Sequence, residues 1–336
     1  MTSLTQSIFD KLTAPGSRIP WLTDWLLHDL WSPERYEDLG AAEFLKRGED
    51  TVNKLEEVIA AAAPRLYDEF MPPCPPERHV RRFLEPACQS PTAGRSGPAA
   101  AVVFDGLSVR EIPVLLKLAE RSNLRVIDIG ISFAAVPSET NFFIEQRLEL
   151  PRISPSTMES RTELRDAGIK AYYFSNVNDR RRLDATSQSL LLWSAFPDNT
   201  YGDAGARFAQ HFEQVHHLLE TAWKHTVQEI PAGRRIVLTS DHGYIFFGHG
   251  LSASRRREDV QRLSAWFGGE RWGEIGGPKG APPEAEDDAV ARYGNIALIR
   301  GRVQTFPPGP ASARAYKHGG LSIMEMVTPW VVIENR

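Results

Sequence analysis

The nine residues Ile236-Val237-Leu238-Thr239-Ser240-Asp241-His242-Gly243-Tyr244 decide how the rest of the chain is arranged. The first four are apolar and largely β-branched, which is the composition of a strand buried on both faces of a parallel sheet. The run stops abruptly at a serine, a carboxylate, an imidazole and a glycine. Open α/β sheets bind their ligands at the carboxyl ends of such strands. A carboxylate oxygen beside an imidazole nitrogen suits Zn²⁺ or Mn²⁺, and Gly243 permits a tight exit turn. An Asp-His-Gly triplet alone is equally compatible with an Asp that caps the next element and an ordinary loop histidine. The remainder of the sequence decides between the two.

Working outward, a second buried-strand run, Ala101-Val102-Val103-Phe104, ends in Asp105 and Gly106. A helical pattern over Val109 to Ala119 leads to a strand over Leu124 to Ile129. A loop then closes on Pro-Ser-Glu-Thr, and Thr140 opens a helix over Asn141 to Leu148. Further strands are expected over Ala171 to Phe174 and Leu190 to Trp193, the latter running into Pro197-Asp198. Phe208, Phe212, Val215, Leu219 and Ala222 recur at helical spacing before the opening stretch. Residues 248–293 are rich in Gly, Pro, Arg and Glu and read as an insertion or lid, with Trp266 and Trp272 as its aromatics. A last strand pair is expected from Ala297 to Arg300 and from Trp330 to Ile333, with His318-Gly319-Gly320 between. Strands alternating with helices imply an α/β domain, a mainly parallel sheet with helices on both faces. Asp105, Asp198, Asp241 and His242 then share one sheet edge, with His318 nearby. Thr140 places a hydroxyl at a helix N-terminus, where backbone N–H groups favour a phosphate.

Upstream, residues 1–84 carry helical patterns: Trp21, Leu22, Trp25, Leu26, Leu30 and Trp31, then Leu55, Val58, Ile59, Ala62 and Leu66. They read as a helical segment packed on the main domain; a protein-docking platform is the alternative. A Pro/Ser/Gly-rich linker, 85–98, separates it from the domain at 99–336. The 336 residues carry a net charge of −4, so bulk charge does not point to nucleic acid. Cys74 and Cys88 fit neither a disulfide framework nor a Cys-x-x-Cys site, and the amino terminus lacks a basic start followed by an apolar core. No apolar run reaches membrane-spanning length, so no membrane is expected and a cytoplasmic setting is.

The segments VVFDGLSVRE, PSETN, PDNTYGD, LTSDHGYI and HGGLSIMEMVTPWVVI, in that order, resemble the PglZ domain. That domain belongs to the alkaline phosphatase superfamily and is associated with BREX-type phage defence and signalling effectors. The resemblance covers roughly 98–335. It implies a metal-dependent phosphodiesterase or phosphatase with two divalent ions, Zn²⁺ in the first instance. Thr140 would be the nucleophile, Asp105, Asp241 and His242 would hold one metal with it, and His318 and Asp198, with Asp203 as a further candidate, would hold the second. Many relatives have a His four residues after that Asp. Here Gly202 stands in its place, so the second site would suit Mn²⁺ or Mg²⁺ as well, or the protein would be a degenerate scaffold. His211 reads as a packed histidine rather than the replacement ligand, and His216, His217 and His225 read as lying near the solvated side of their helix. Ser138 is an alternative hydroxyl or a helix cap. Arg255, Arg256 and His249 could grip a phosphate ester, a nucleotide or nucleic acid.

Overall fold

The computed structural model describes residues 7–8, 10–11, 14, 18–71, 74–85, 97–201, 208–247, 257–276, 288–305 and 316–335. The main sheet has six strands in the order β2-β11-β5-β1-β4-β3. These are β1 (Ala99–Phe104), β2 (Arg125–Phe133), β3 (Ile169–Phe174), β4 (Ser189–Ser194), β5 (Arg235–Thr239) and β11 (Val327–Glu334). Strands β5, β1, β4 and β3 are parallel neighbours, whereas β11 runs antiparallel to both β5 and β2. Every residue of β1 and β4 is buried, so helices must cover both faces, as the apolar runs of these strands require. At the sheet edge, β2 is exposed over Arg125 to Ile127 and buried only from Gly130.

The expected last strand pair divides between two sheets. The strand β9 (Ile296–Ile299) lies between β7 (Trp272–Glu274) and β8 (Val290–Tyr293) in a separate antiparallel sheet. Local turn chemistry explains the difference. Tyr293 pairs with Ile296 across the two-residue loop Gly294-Asn295, with Gly294 at φ +58°, a hairpin signal that outcompetes long-range pairing. This sheet and the helix Arg257–Phe267 enclose a second apolar cluster that includes Trp266, Phe267, Val290 and Ile299. Trp266 is therefore a core residue. A two-stranded ribbon of β6 (Ile245–Phe246) and β10 (Tyr316–Lys317) completes the strands among the described residues.

The N-terminal helices Trp25–Leu30 and Ala41–Ala62, with Trp31 just after the first, contribute Leu26, Trp31, Phe44 and Leu55 to the same apolar cluster as Val102, Leu192 and Trp330 of the sheet. Trp31 lies so close to Gly48 that a Cβ there would come within 2.1 Å of its ring. Buried ion pairs reinforce the contact. Glu49 accepts from Arg110 at 2.6 Å and from Arg302 at 2.9 Å. Glu56 accepts from Arg302 at 2.6 Å and from the Ile323 N–H at 2.9 Å. His216 also faces this packing, against the sequence reading that put it on the solvated side: it is buried and bonded to Tyr36 Oη. Burial pushes its pKa down to about 3. Among the described residues no helix is long and apolar enough to cross a membrane.

Candidate metal centre

Adjacency of β5, β1 and β4 sets the site. Their carboxyl ends lie side by side, so the residues just beyond them converge although they are far apart in sequence. The loops are stitched by backbone bonds: Asp105 N–H donates to the Ser194 carbonyl and Asp198 N–H to the Asp105 carbonyl, each at 2.9 Å. Glycine is required twice here. Gly106 has φ +71°, and a Cβ on it would come within 3.1 Å of Asp198. A Cβ on Gly243 would fall 2.1 Å from the Met324 carbonyl oxygen, which presses against the Asp-His-Gly turn.

Asp241 and His242 are fully buried and Asp105 nearly so. His242 Nε2 lies 3.5 Å from Asp241 Oδ2 and 3.7 Å from Asp105 Oδ1. The Thr140 hydroxyl donates to Asp241 Oδ2 at 2.6 Å. The Gly106 N–H donates to Asp241 Oδ1 at 3.0 Å, and the Trp193 indole donates to Asp105 Oδ2 at 3.1 Å. The rings of His242 and His318 are stacked, with centroids 3.9 Å apart. His242 Nδ1 faces the Gly243 carbonyl and His318 Nδ1 faces the Ser138 carbonyl, each at 3.0 Å. A carbonyl only accepts, so both Nδ1 atoms carry a proton, and in the neutral imidazole that leaves Nε2 as the atom that can hold a metal.

These residues fit a divalent cation. Asp105 Oδ1 and His242 Nε2 are buried without a hydrogen-bond partner, and buried polar atoms are almost always satisfied. Burial raises the Asp105 pKa well above the carboxylate range, and the charges of Asp241 and Asp198 raise it further. Such crowding of carboxylates calls for positive charge. Burial alone would depress His318, but the charges of Glu139 and Asp198 outweigh it and the net shift is upward. Among the described residues, two donor sets have their ligand atoms within 4.8 Å of one another, Asp105/Asp241/His242 and Asp198/His242/His318. His242 belongs to both. One imidazole nitrogen binds one metal, so a filled first set leaves Asp198 and His318 to the second. Asp203 and Gly202 lie outside the described residues, as do Arg255, Arg256 and His249.

Two residues weighed in the sequence take other places beside the site. Ser138 neither caps the Thr140 helix nor faces the carboxylates; its Oγ accepts from Gly319 N–H at 2.8 Å and donates to the Gly320 carbonyl at 3.1 Å. His211 is packed between Thr200 Oγ1 at 3.1 Å and Tyr316 Oη at 2.8 Å, away from any ligand role. Trp193, Glu139, Arg271 and Trp272 support the site, and nothing in their sequence neighbourhoods separates them from other aromatic or charged residues.

No protein-family model and no curated protein matches the chain. Solved structures similar to it include murine ectonucleotide pyrophosphatase/phosphodiesterase 5, at 13% identity and TM-score 0.40 over 70% of this chain and 87% of that one. The human protein of the same name gives 10% and 0.38, over 70% and 87% of the two chains. Phosphonoacetate hydrolase from Sinorhizobium meliloti, in complex with phosphonoacetate, gives 13% and 0.35, over 70% and 89%. Likeness at these values lends nothing to the assignment of chemistry, which rests on the side chains: three carboxylates and two imidazoles gathered at one sheet edge beside a hydroxyl.

Proposed function

We propose that the chain is a metal-dependent phosphohydrolase of the PglZ and alkaline phosphatase type, acting on a phosphodiester such as a nucleotide or nucleic acid. The observation that carries this reading is the convergence of Asp105, Asp241, His242 and Thr140, with two buried donor atoms otherwise unsatisfied. Asp105, Asp241 and His242 would hold one divalent ion; Asp198 and His318, with Asp203, would hold a second. Zn²⁺ suits the first set, and Mn²⁺ or Mg²⁺ is the alternative to Zn²⁺ at the second. A bound ion would supply Lewis-acid stabilisation of the charge on the phosphoryl oxygens.

The protein's own groups would do the rest. Thr140 Oγ1 is the nucleophile, and its proton is already directed at Asp241 Oδ2. The first turn of the helix Thr140–Leu148 presents N–H groups that lack intrahelical partners and would receive the non-bridging oxygens. The Gly106 N–H and the Trp193 indole hold the carboxylates in place, so their geometry does not reorganise during reaction. A phage-defence role and a cytoplasmic setting follow from the PglZ resemblance and the sequence, with further protein partners at the N-terminal helices.

A second reading, a degenerate scaffold, is favoured by one observation: His242 is shared between the two donor sets. Metal analysis of the purified chain, followed by a screen of chromogenic mono- and diesters, cyclic dinucleotides and oligonucleotides, separates the two. The enzyme holds stoichiometric metal and turns over a diester; a protein with neither property is the scaffold.

A further inference from the structure

Arg271 and Trp272 are adjacent in the accessory sheet and reach two different parts of the framework around the site. Arg271 is fully buried and bidentate to Glu325, at 2.5 and 2.9 Å, and also donates to the carbonyls of Gly301 and Val303. Glu325 in turn accepts from the N–H groups of Gly320 and Ser322, fixing the turn that carries His318. Trp272 donates its indole N–H to Glu139 Oε1 at 3.0 Å, and its ring stands edge-on to Phe142, centroids 5.2 Å apart.

Glu139 sits directly before Thr140 at the N-cap position, yet its side chain makes no capping bond. Its Oε1 lies 3.5 Å from His318 Nδ1 instead. Gly319 permits this approach: at φ +102°, a Cβ there would fall 2.8 Å from both Glu139 Oε1 and Trp272 Cδ1. A carboxylate one residue from Thr140 would repel a phosphate ester unless it is held elsewhere. The indole and the imidazole hold it.

We propose that Glu139 and Trp272 are positioning residues for the hydrolysis. The Trp272 indole keeps the Glu139 carboxylate against His318, which fixes the imidazole with Nδ1 toward the protein and its ring stacked on His242, within the donor set that includes Asp198. Through Phe142, the same tryptophan fixes the first turn of the Thr140 helix. The accessory sheet is thus part of the site's scaffold rather than a loose flap. The inference rests on the function proposed above, because it assigns His318 to a metal.

The test uses the full chain with Zn²⁺ or Mn²⁺ and three variants: Trp272→Phe, which keeps the ring and removes the donor, Glu139→Gln, which keeps the acceptor and removes the charge, and both together. Metal affinity by chelator competition, kcat and KM on bis(p-nitrophenyl) phosphate, and thermal midpoint are measured. Each single variant is expected to lower kcat about 10- to 100-fold with KM within about threefold, and to weaken one metal about tenfold. The double variant is expected to be no worse than the poorer single, since both act through one contact. Losses that multiply, or a lower midpoint with metal affinity and kcat unchanged, overturn the inference. If Trp272→Phe does not fold, the metal affinity of Glu139→Gln decides alone. A metal-loaded, active wild type with unaltered variants overturns this inference only. A wild type that binds no metal and cleaves no ester removes the proposed function with it.

Discussion

Thr140 and Asp241 form a pair joined by a 2.6 Å hydrogen bond, and substitution separates their roles. Removing the neutral hydroxyl leaves every charged donor in place. Thr140→Ala is therefore expected to fold and keep its metal while kcat falls by roughly a thousandfold or more, as for loss of other nucleophiles. Asp241→Ala should lose metal and activity together, because it removes a charged donor and the acceptor of three hydrogen bonds. Turnover by Thr140→Ala near the wild-type rate would reduce Thr140 to a helix residue. A second residue-scale outcome concerns Glu111, which caps the turn after β1 and accepts from Tyr244 at 3.1 Å. Burial raises its pKa to about 7, against the lowering influence of Arg110 and the Ser108 N–H. For an acid whose folded pKa lies above the unfolded one, ionisation costs more in the folded state. The penalty is absent below the unfolded value of 4.5, grows as pH rises toward about 7, and is constant above. Glu111→Gln cannot ionise, so its stability relative to wild type is expected to improve by about 1–3 kcal/mol between pH 4.5 and 8. Denaturant unfolding at several pH values measures this; a difference independent of pH would show that Glu111 titrates alike in the folded and unfolded states.

At the scale of elements, the described part of the segment at 248–293 is built into the fold. The strand β7 is paired with β9, and the neighbouring Arg271 is bound to Glu325. Losing Arg271 would leave a buried carboxylate without its cation, which typically costs about 3–5 kcal/mol. Arg271→Met is thus expected to fold poorly or melt far below wild type, by circular dichroism. Trimming residues 277–287, which lie outside the described part, should leave the fold intact and change KM for bulky diesters. Equal KM values for small and large diesters after trimming would show that the segment does not govern access. The hairpin that builds this sheet was written locally, in Gly294-Asn295. Its docking against Glu139 and Phe142 was not, because that depends on a tryptophan meeting partners more than a hundred residues away.

Across the whole molecule, the N-terminal helices are bound to the sheet by a shared apolar core and by Glu49, Glu56, Arg110 and Arg302. Deleting residues 1–84 would leave both arginines buried without these carboxylates and expose Val102's cluster to water. The truncated chain is expected to be insoluble or to lack a cooperative unfolding transition, and a soluble, cooperatively folding 85–336 fragment would contradict this. The strands, the carboxylates at their ends and the helix opened by Thr140 were written in local sequence, because a buried parallel strand needs a continuous apolar run and a glycine turn needs its glycine. Strand order was not. It was the adjacency of β5, β1 and β4 that brought Asp241, Asp105 and Asp198 together, and the close approach of Gly319 that brought His318 to His242. The orientation of His318, the burial of His216 and the supporting places of Trp193, Glu139 and Trp272 were likewise decided by tertiary structure. Each depends on which distant group supplies the hydrogen bond or excludes the water, and the identity of that neighbour is not carried by the residue itself.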